Sequence, residues 1–171
     1  MHSQRGFHLF PPDVLADAKR LIDILRHKNR KLTTAESCTG GLIAGAITAV
    51  PGSSDVFLGG FVTYSNDAKK QMIGVDADLL DHHGAVSAAV AHAMAEGAIR
   101  TTGADLAVSV TGIAGPGGGS PHKPVGLVYI GVASVFDGPQ VERHMFGDAG
   151  RDEVRLASLR AALRLLEEAA K

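Results

Sequence analysis

The sequence predicts an α/β fold with helices on both faces of one sheet, and three observations carry that prediction. Helical and strand patterns alternate along most of the chain, which is the arrangement of a sheet covered on both sides. Residues 125–135 and 141–146 pair as a hairpin across Asp137-Gly138, so the sheet is mixed. The last helical segment is apolar on two sides, with Val154, Ala157, Ala161 and Leu165 on one and Leu156, Leu159, Leu163 and Leu166 on the other. A helix of that kind is buried on two sides. One side meets the sheet, and the other meets a neighbouring helix or a second subunit.

Residues 1–11 read as a loose arm leading into Pro11-Pro12, and residues 12–171 as a single domain. Asp13 is expected to cap a first helix whose apolar face is Val14, Leu15, Ala18, Leu21, Ile22 and Leu25. A short, Thr-rich strand follows at residues 32–35. After Gly40-Gly41 a second helix runs to Val50 and stops at Pro51-Gly52. Residues 56–64 are β-branched and aromatic and read as a strand. Short helices are expected at 67–72 and 76–82, and Ser87 caps a helix through Ile99. Residues 106–110 form a buried strand, 112–124 a glycine-rich loop, and 152–169 the closing helix.

The balance of 17 Lys+Arg against 18 Asp+Glu, a net charge of -1, argues against a nucleic-acid binder, which carries a basic excess. A single Cys excludes an intrachain disulfide framework and most cysteine metal sites. No apolar run reaches the roughly 18 residues of a membrane span, and no signal-peptide core opens the chain. The expectation is a cytoplasmic protein with no membrane or nucleic-acid partner.

Two strand-to-helix junctions concentrate chemistry. The first is Thr34-Ala-Glu-Ser-Cys-Thr-Gly-Gly41, with Glu36, Ser37, Cys38 and Thr39 in a row. In open α/β sheets ligands gather beyond the carboxyl ends of strands, and a helix N-terminus offers unpaired N–H groups to an anion or oxyanion. Taken alone, the octet suits an ordinary N-cap equally well. The second is Val110-Thr-Gly-Ile-Ala-Gly-Pro-Gly-Gly-Gly119, whose glycines let successive N–H groups line a concavity for a phosphate or carboxylate. It is neither a dinucleotide fingerprint nor a P-loop, and a long surface loop would look the same. None of the eight His stands in a motif-like context, and a lysine can replace histidine as the base for Ser37 only if it is neutral. Lys69 and Lys70 both follow the strand at 56–64, and either serves only if desolvation or a nearby cation lowers its pKa from about 10.4.

These segments, in this order, resemble one family. The octet at 34–41, Gly60-Phe-Val-Thr-Tyr-Ser-Asn66 through Ala68-Lys69, His83-Gly-Ala-Val-Ser87, and Thr111-Gly-Ile-Ala-Gly-Pro116 with Lys123-Pro-Val-Gly126 are similar to the CinA C-terminal domain family, the nicotinamide-nucleotide amidases, also called NMN deamidases. The likeness covers about residues 12–170. It implies a three-layer α/β/α sandwich with a mixed, mostly parallel sheet, a dimer, and hydrolysis of nicotinamide mononucleotide to nicotinate mononucleotide and ammonia with no metal or cofactor. Carried over position by position, the nucleophile is Ser37 and the base Lys69, with Tyr64 beside the pair to orient or relay the proton.

The resemblance puts Thr111, Gly112 and Gly115 in the nucleotide pocket. Glu36, Thr39, Gly40 and Gly41 are expected against the substrate, with oxyanion donors at residues 39–41. Glu36 would meet the ribose hydroxyls or position Lys69. The family's Gly-Asp-Arg segment stands here as Gly147-Asp-Ala-Gly-Arg151, and Arg151 is the expected phosphate contact. Cys38 is a rival nucleophile, because a thiol at a helix N-terminus has a lowered pKa. Two other classes compete: a non-catalytic nucleotide-binding regulatory module, and a metal-dependent phosphohydrolase, for which clustered ligands are lacking.

Overall fold

The computed structural model describes residues 9–171. The arm expected over residues 1–11 lies outside the described residues as far as residue 8; beyond that, Leu9 is exposed and Phe10 packs against the core. The first helix, α1, spans Pro12–His27. Proline at the first helical position has the right φ and loses no bond there. Asp13 does not cap the helix, contrary to expectation: its carboxylate instead pairs with Arg160 at 2.7 Å.

Next come β1 (Leu32–Glu36), α2 (Leu42–Thr48), a 3-10 turn (Ser53–Asp55) and β2 (Phe57–Val62). Then follow α3 (Asn66–Ile73), α4 (Ala77–His83), α5 (Ala88–Thr102) and β3 (Leu106–Gly112). The hairpin β4 (Leu127–Ser134) and β5 (Gln140–Met145) and the helix α6 (Arg151–Ala170) complete the fold. Ser87 caps α5 as its sequence predicts, its hydroxyl oxygen accepting the Val90 N–H at 3.2 Å.

The sheet order is β2-β1-β3-β4-β5. β1 is parallel to β2 and β3, while β3–β4 and β4–β5 pair antiparallel, so the sheet is mixed. From β1 the chain crosses through α2 to β2 on one side, then returns through α3–α5 to β3 on the other. Connections of one hand running in opposite directions fall on opposite faces of a sheet, which gives the three layers. Beyond β1 and β3 the chain departs in opposite directions and opens a crevice, where α/β proteins bind ligands.

The two faces are packed differently. Leu32, Val108, Val110, Val128, Ile130 and Val132 meet α1, α2 and α6 in a large aliphatic layer. Each such side chain contributes about 1.5–3 kcal/mol on burial. The opposite face presents Ala35, Ala107 and Ala133 to α5. Small residues let α5 sit close: the buried Ser109 hydroxyl donates to the Ala91 carbonyl, and a Cβ on Gly131 would lie 2.8 Å from the Ala91 carbonyl oxygen. α6 lies on β3 and β4 and is flanked by α1, so a neighbouring helix covers part of its second apolar side. Among the described residues no helix is long and apolar enough to cross a membrane.

Candidate active site

The carboxyl end of β1 carries the first reactive cluster. The Ser37 N–H donates to the Val110 carbonyl at 2.9 Å, which fixes Ser37 beside the end of β3. Its neighbour Glu36 is 1% exposed and turns the other way. Oε1 accepts the Ile43 N–H at 2.9 Å and Oε2 the Ala44 N–H at 3.0 Å. A carboxylate at the positive end of a helix dipole, with two backbone donors, is a well-satisfied charge. Glu36 therefore holds α2 onto β1, and the expectation that it meets ribose or positions Lys69 is corrected.

The helix N-terminus is correspondingly occupied. The Gly40 N–H serves the Ser37 carbonyl at 3.0 Å and the Leu42 N–H the Thr39 carbonyl at 3.1 Å. Gly40 at φ +57 and Gly41 at φ +96 are left-handed, so these glycines make the turn rather than open a path for ligand. Thr39 is fully buried, and none of Glu36, Thr39, Gly40 and Gly41 lines the crevice.

Lys69 comes from α3, whose start is capped by the Ser65 hydroxyl oxygen accepting the Ala68 N–H at 3.0 Å. The Lys69 side chain is 1% exposed, and its Nζ lies 3.1 Å from Ser37 Oγ. Nζ also donates to the Thr63 carbonyl at 2.8 Å. Burial pulls its pKa down from 10.5 to about 8, because the interior solvates an ammonium poorly and, among the described residues, no carboxylate stands by to compensate. Lys70, the alternative, is exposed and pairs with Asp67 at 2.7 Å. Consecutive helical residues point about 100° apart, so only one can enter the crevice.

Cys38 lies beside Ser37, but burial pushes its thiol up from 9.0 to about 11. The lowered pKa expected of a thiol at this junction is thus corrected: desolvation outweighs the helix, whose donors Glu36 has taken. Cys38 stays a neutral thiol near pH 7, which removes it as rival nucleophile.

The crevice encloses about 280 Å³ and brings together Ser37, Cys38, Lys69, Tyr64, Thr111, Gly112, Gly115 and Arg151. Tyr64 is 60% exposed and stands at the rim. Its hydroxyl oxygen accepts from Arg151 Nη2 at 2.9 Å, and it lines the same crevice as Ser37 and Lys69 without bonding either. Arg151, the first residue of α6, also donates through Nη1 to the Gly115 carbonyl at 2.8 Å. The Thr111 hydroxyl donates to the Ala85 carbonyl at 2.8 Å, fixing the turn ahead of α5 against β3.

That turn, with Ala85 and Val86, lines the crevice, as do Ile113, Ala114, Gly117 and Gly118. Ala85 and Val86 were missed as site residues, although they lie in the His83-Gly-Ala-Val-Ser87 segment that carries part of the family resemblance. Arg155 was missed as well; it stands one turn after Arg151 on α6, a spacing that puts both on one helix face.

Comparison with known proteins agrees with this architecture. The CinA C-terminal domain profile matches residues 15–170. A CinA-like protein of Citrifermentans bemidjiense is 55% identical over 91% of this chain and 37% of its own length, and one of Synechococcus sp. is 50% identical over 94% and 39%. The chain thus spans about two fifths of the curated relatives it matches. Among solved structures, the competence/damage inducible protein CihA of Agrobacterium tumefaciens superposes with a TM-score of 0.94 at 48% identity, covering 96% of this chain and 100% of that one. A CinA superfamily protein of Escherichia coli superposes at 0.86 with 31% identity, covering 98% and 99%. Sequence match along almost the whole length and close superposition agree, and the chain belongs to the CinA C-terminal domain family.

Proposed function

We propose that the chain is an amidohydrolase that converts nicotinamide mononucleotide to nicotinate mononucleotide and ammonia. The observation that supports it best is the buried Lys69 amine 3.1 Å from the Ser37 hydroxyl at the mouth of a crevice, with a pKa of about 8. A serine is a weak nucleophile until a base takes its proton, and a lysine is a base only when neutral.

One N–H of the neutral amine donates to the Thr63 carbonyl and steadies Nζ. Its lone pair takes the hydroxyl proton as Ser37 Oγ bonds the carboxamide carbon. The tetrahedral intermediate collapses: the C–N bond breaks, the Lys69 ammonium returns the proton to the departing nitrogen, and ammonia leaves an ester on Ser37. Water then attacks the ester carbon while Lys69 takes a proton. The bond to Oγ breaks, Ser37 regains its proton, and nicotinate mononucleotide is released. The positive pyridinium ring of the bound substrate further disfavours an ammonium at Lys69. Arg151, at the rim, offers its remaining guanidinium donors to the 5′-phosphate.

The test is ammonia release from nicotinamide mononucleotide, run beside free nicotinamide and the dinucleotide. The wild type is expected to release ammonia from the mononucleotide, and Ser37→Ala to retain the fold and substrate affinity while losing turnover. A wild type that binds the mononucleotide without releasing ammonia would identify a nucleotide-binding module instead.

A further inference from the structure

We infer that Arg155 is a positioning residue that holds the nucleophile loop so that the Cys38 N–H receives the oxyanion. The inference rests on Ser37 being the nucleophile, and does not depend on which amide is the substrate. Arg155 Nε donates to the Cys38 carbonyl at 3.2 Å and Nη2 to the Thr39 carbonyl at 3.3 Å. Ser37 and Cys38 line the crevice and Arg155 does not, so its guanidinium grips the nucleophile loop from outside the crevice.

In a planar trans peptide the C=O and N–H point in opposite directions. Drawing the Cys38 carbonyl toward α6 therefore turns the Thr39 N–H away from α6. The Ser37 carbonyl is held by the Gly40 N–H, which turns the Cys38 N–H away in the same manner. Thr39 is fully buried and does not line the crevice, whereas Cys38 does, and among the described residues no oxygen takes the Cys38 N–H. The N–H of the residue after a nucleophile is a recurrent oxyanion donor.

Of the donors expected at residues 39–41, the Gly40 N–H is consumed by the turn and Thr39 is buried, so the donor moves upstream to Cys38, whose carbonyl Arg155 holds. Two adjacent carbonyls call for a planar fork of donors; a lysine would reach one of them. The guanidinium also lies alongside the turn, where a Cβ on Gly40 would meet Nη2 at 3.5 Å. Among the described residues the one ion pair on this side chain is a loose contact to exposed Asp152 at 3.9 Å, which leaves the carbonyl grip as its principal contact.

The experiment compares wild type, Arg155→Met and Arg155→Lys by two readouts. The first is the rate at which a fluorophosphonate probe labels Ser37, followed by mass spectrometry. In that reaction the Oγ–P bond forms, the P–F bond breaks, fluoride leaves, Lys69 takes the hydroxyl proton, and the phosphoryl oxygen occupies the oxyanion site. The second is the kcat and KM of ammonia release as a function of pH. Misaiming one donor is expected to slow labelling and kcat by about tenfold to a hundredfold in Arg155→Met. KM is expected to stay within about twofold, with the inflection near pH 8 unmoved. Arg155→Lys should recover only part of the loss.

Labelling of Arg155→Met at the wild-type rate overturns the inference. So does a rate loss accompanied by a shifted inflection, which would mean that Arg155 acts through Lys69. A wild type that labels at Ser37 yet releases no ammonia from the mononucleotide defeats the substrate assignment alone, and labelling still decides the role of Arg155. A wild type that does not label overturns both.

Discussion

The loop after β1 is tied down atom by atom, whereas the loop after β3 is pinned at a few points and open between them. In the first, the Ser37 N–H, the Ser37 carbonyl, both Glu36 oxygens and the carbonyls of Cys38 and Thr39 all have partners. In the second, the Ile113 N–H reaches the Leu127 carbonyl, Arg151 holds the Gly115 carbonyl, and Lys123 Nζ reaches the His83 carbonyl at 2.7 Å. Between those pins, a Cβ on Gly117 would meet nothing within 4 Å. Both loops follow a buried strand and both are rich in glycine. A proton transfer needs its donor and acceptor within hydrogen-bond reach, so a nucleophile belongs on the fully determined loop. A substrate needs room, which the loosely pinned loop supplies.

The sharpest way to break this contrast is at the base. Lys69→Arg keeps a long cation where Nζ sits but cannot give up a proton near neutrality, and ammonia release is expected to fall by at least about a thousandfold. Next is the pH profile of the wild type. Lys69 must be neutral to act, its pKa is about 8, and neutralisation accompanies rising pH. kcat/KM is therefore expected to climb about tenfold per pH unit below that value and to level off above it. A profile falling with pH across this window would mean that the charged form is the working one.

The smallest expected effects separate the loops by stability. Glu36→Ala strands the Ile43 and Ala44 N–H groups, and should lower unfolding free energy by about 1–3 kcal/mol in denaturant titration. Within the second loop, Gly115→Ala is expected to cost more than Gly117→Ala. Gly115 has φ +84 and a Cβ there would lie 2.7 Å from Val125 Cγ1, whereas Gly117 has open space. Thermal melts of the two variants check the order.

Much of the frame was legible in the chain. Strand and helix periodicity placed each element to within a few residues, because burial of alternate or i, i+4 positions is a local pattern. The Ser87 cap and the hairpin across Asp137-Gly138 were equally local. Motif likeness picked out Ser37, Lys69, Thr111 and Arg151, which the fold gathers around one crevice. Errors arose where a side chain had two partners in reach. Asp13 chose Arg160 over its own helix end, and Glu36 chose α2 over the crevice.

The order of strands and helices, the polar pairings within reach and the junctions that carry reactive groups follow from neighbours along the chain. Packing in three dimensions settles which of two adjacent lysines is buried and which exposed. It alone decided that the Cys38 thiol rises in pKa rather than falls, and that a guanidinium from α6 holds the loop after β1. Those outcomes depend on desolvation and on partners more than a hundred residues away, such as Arg155 on Cys38, and no local pattern encodes either.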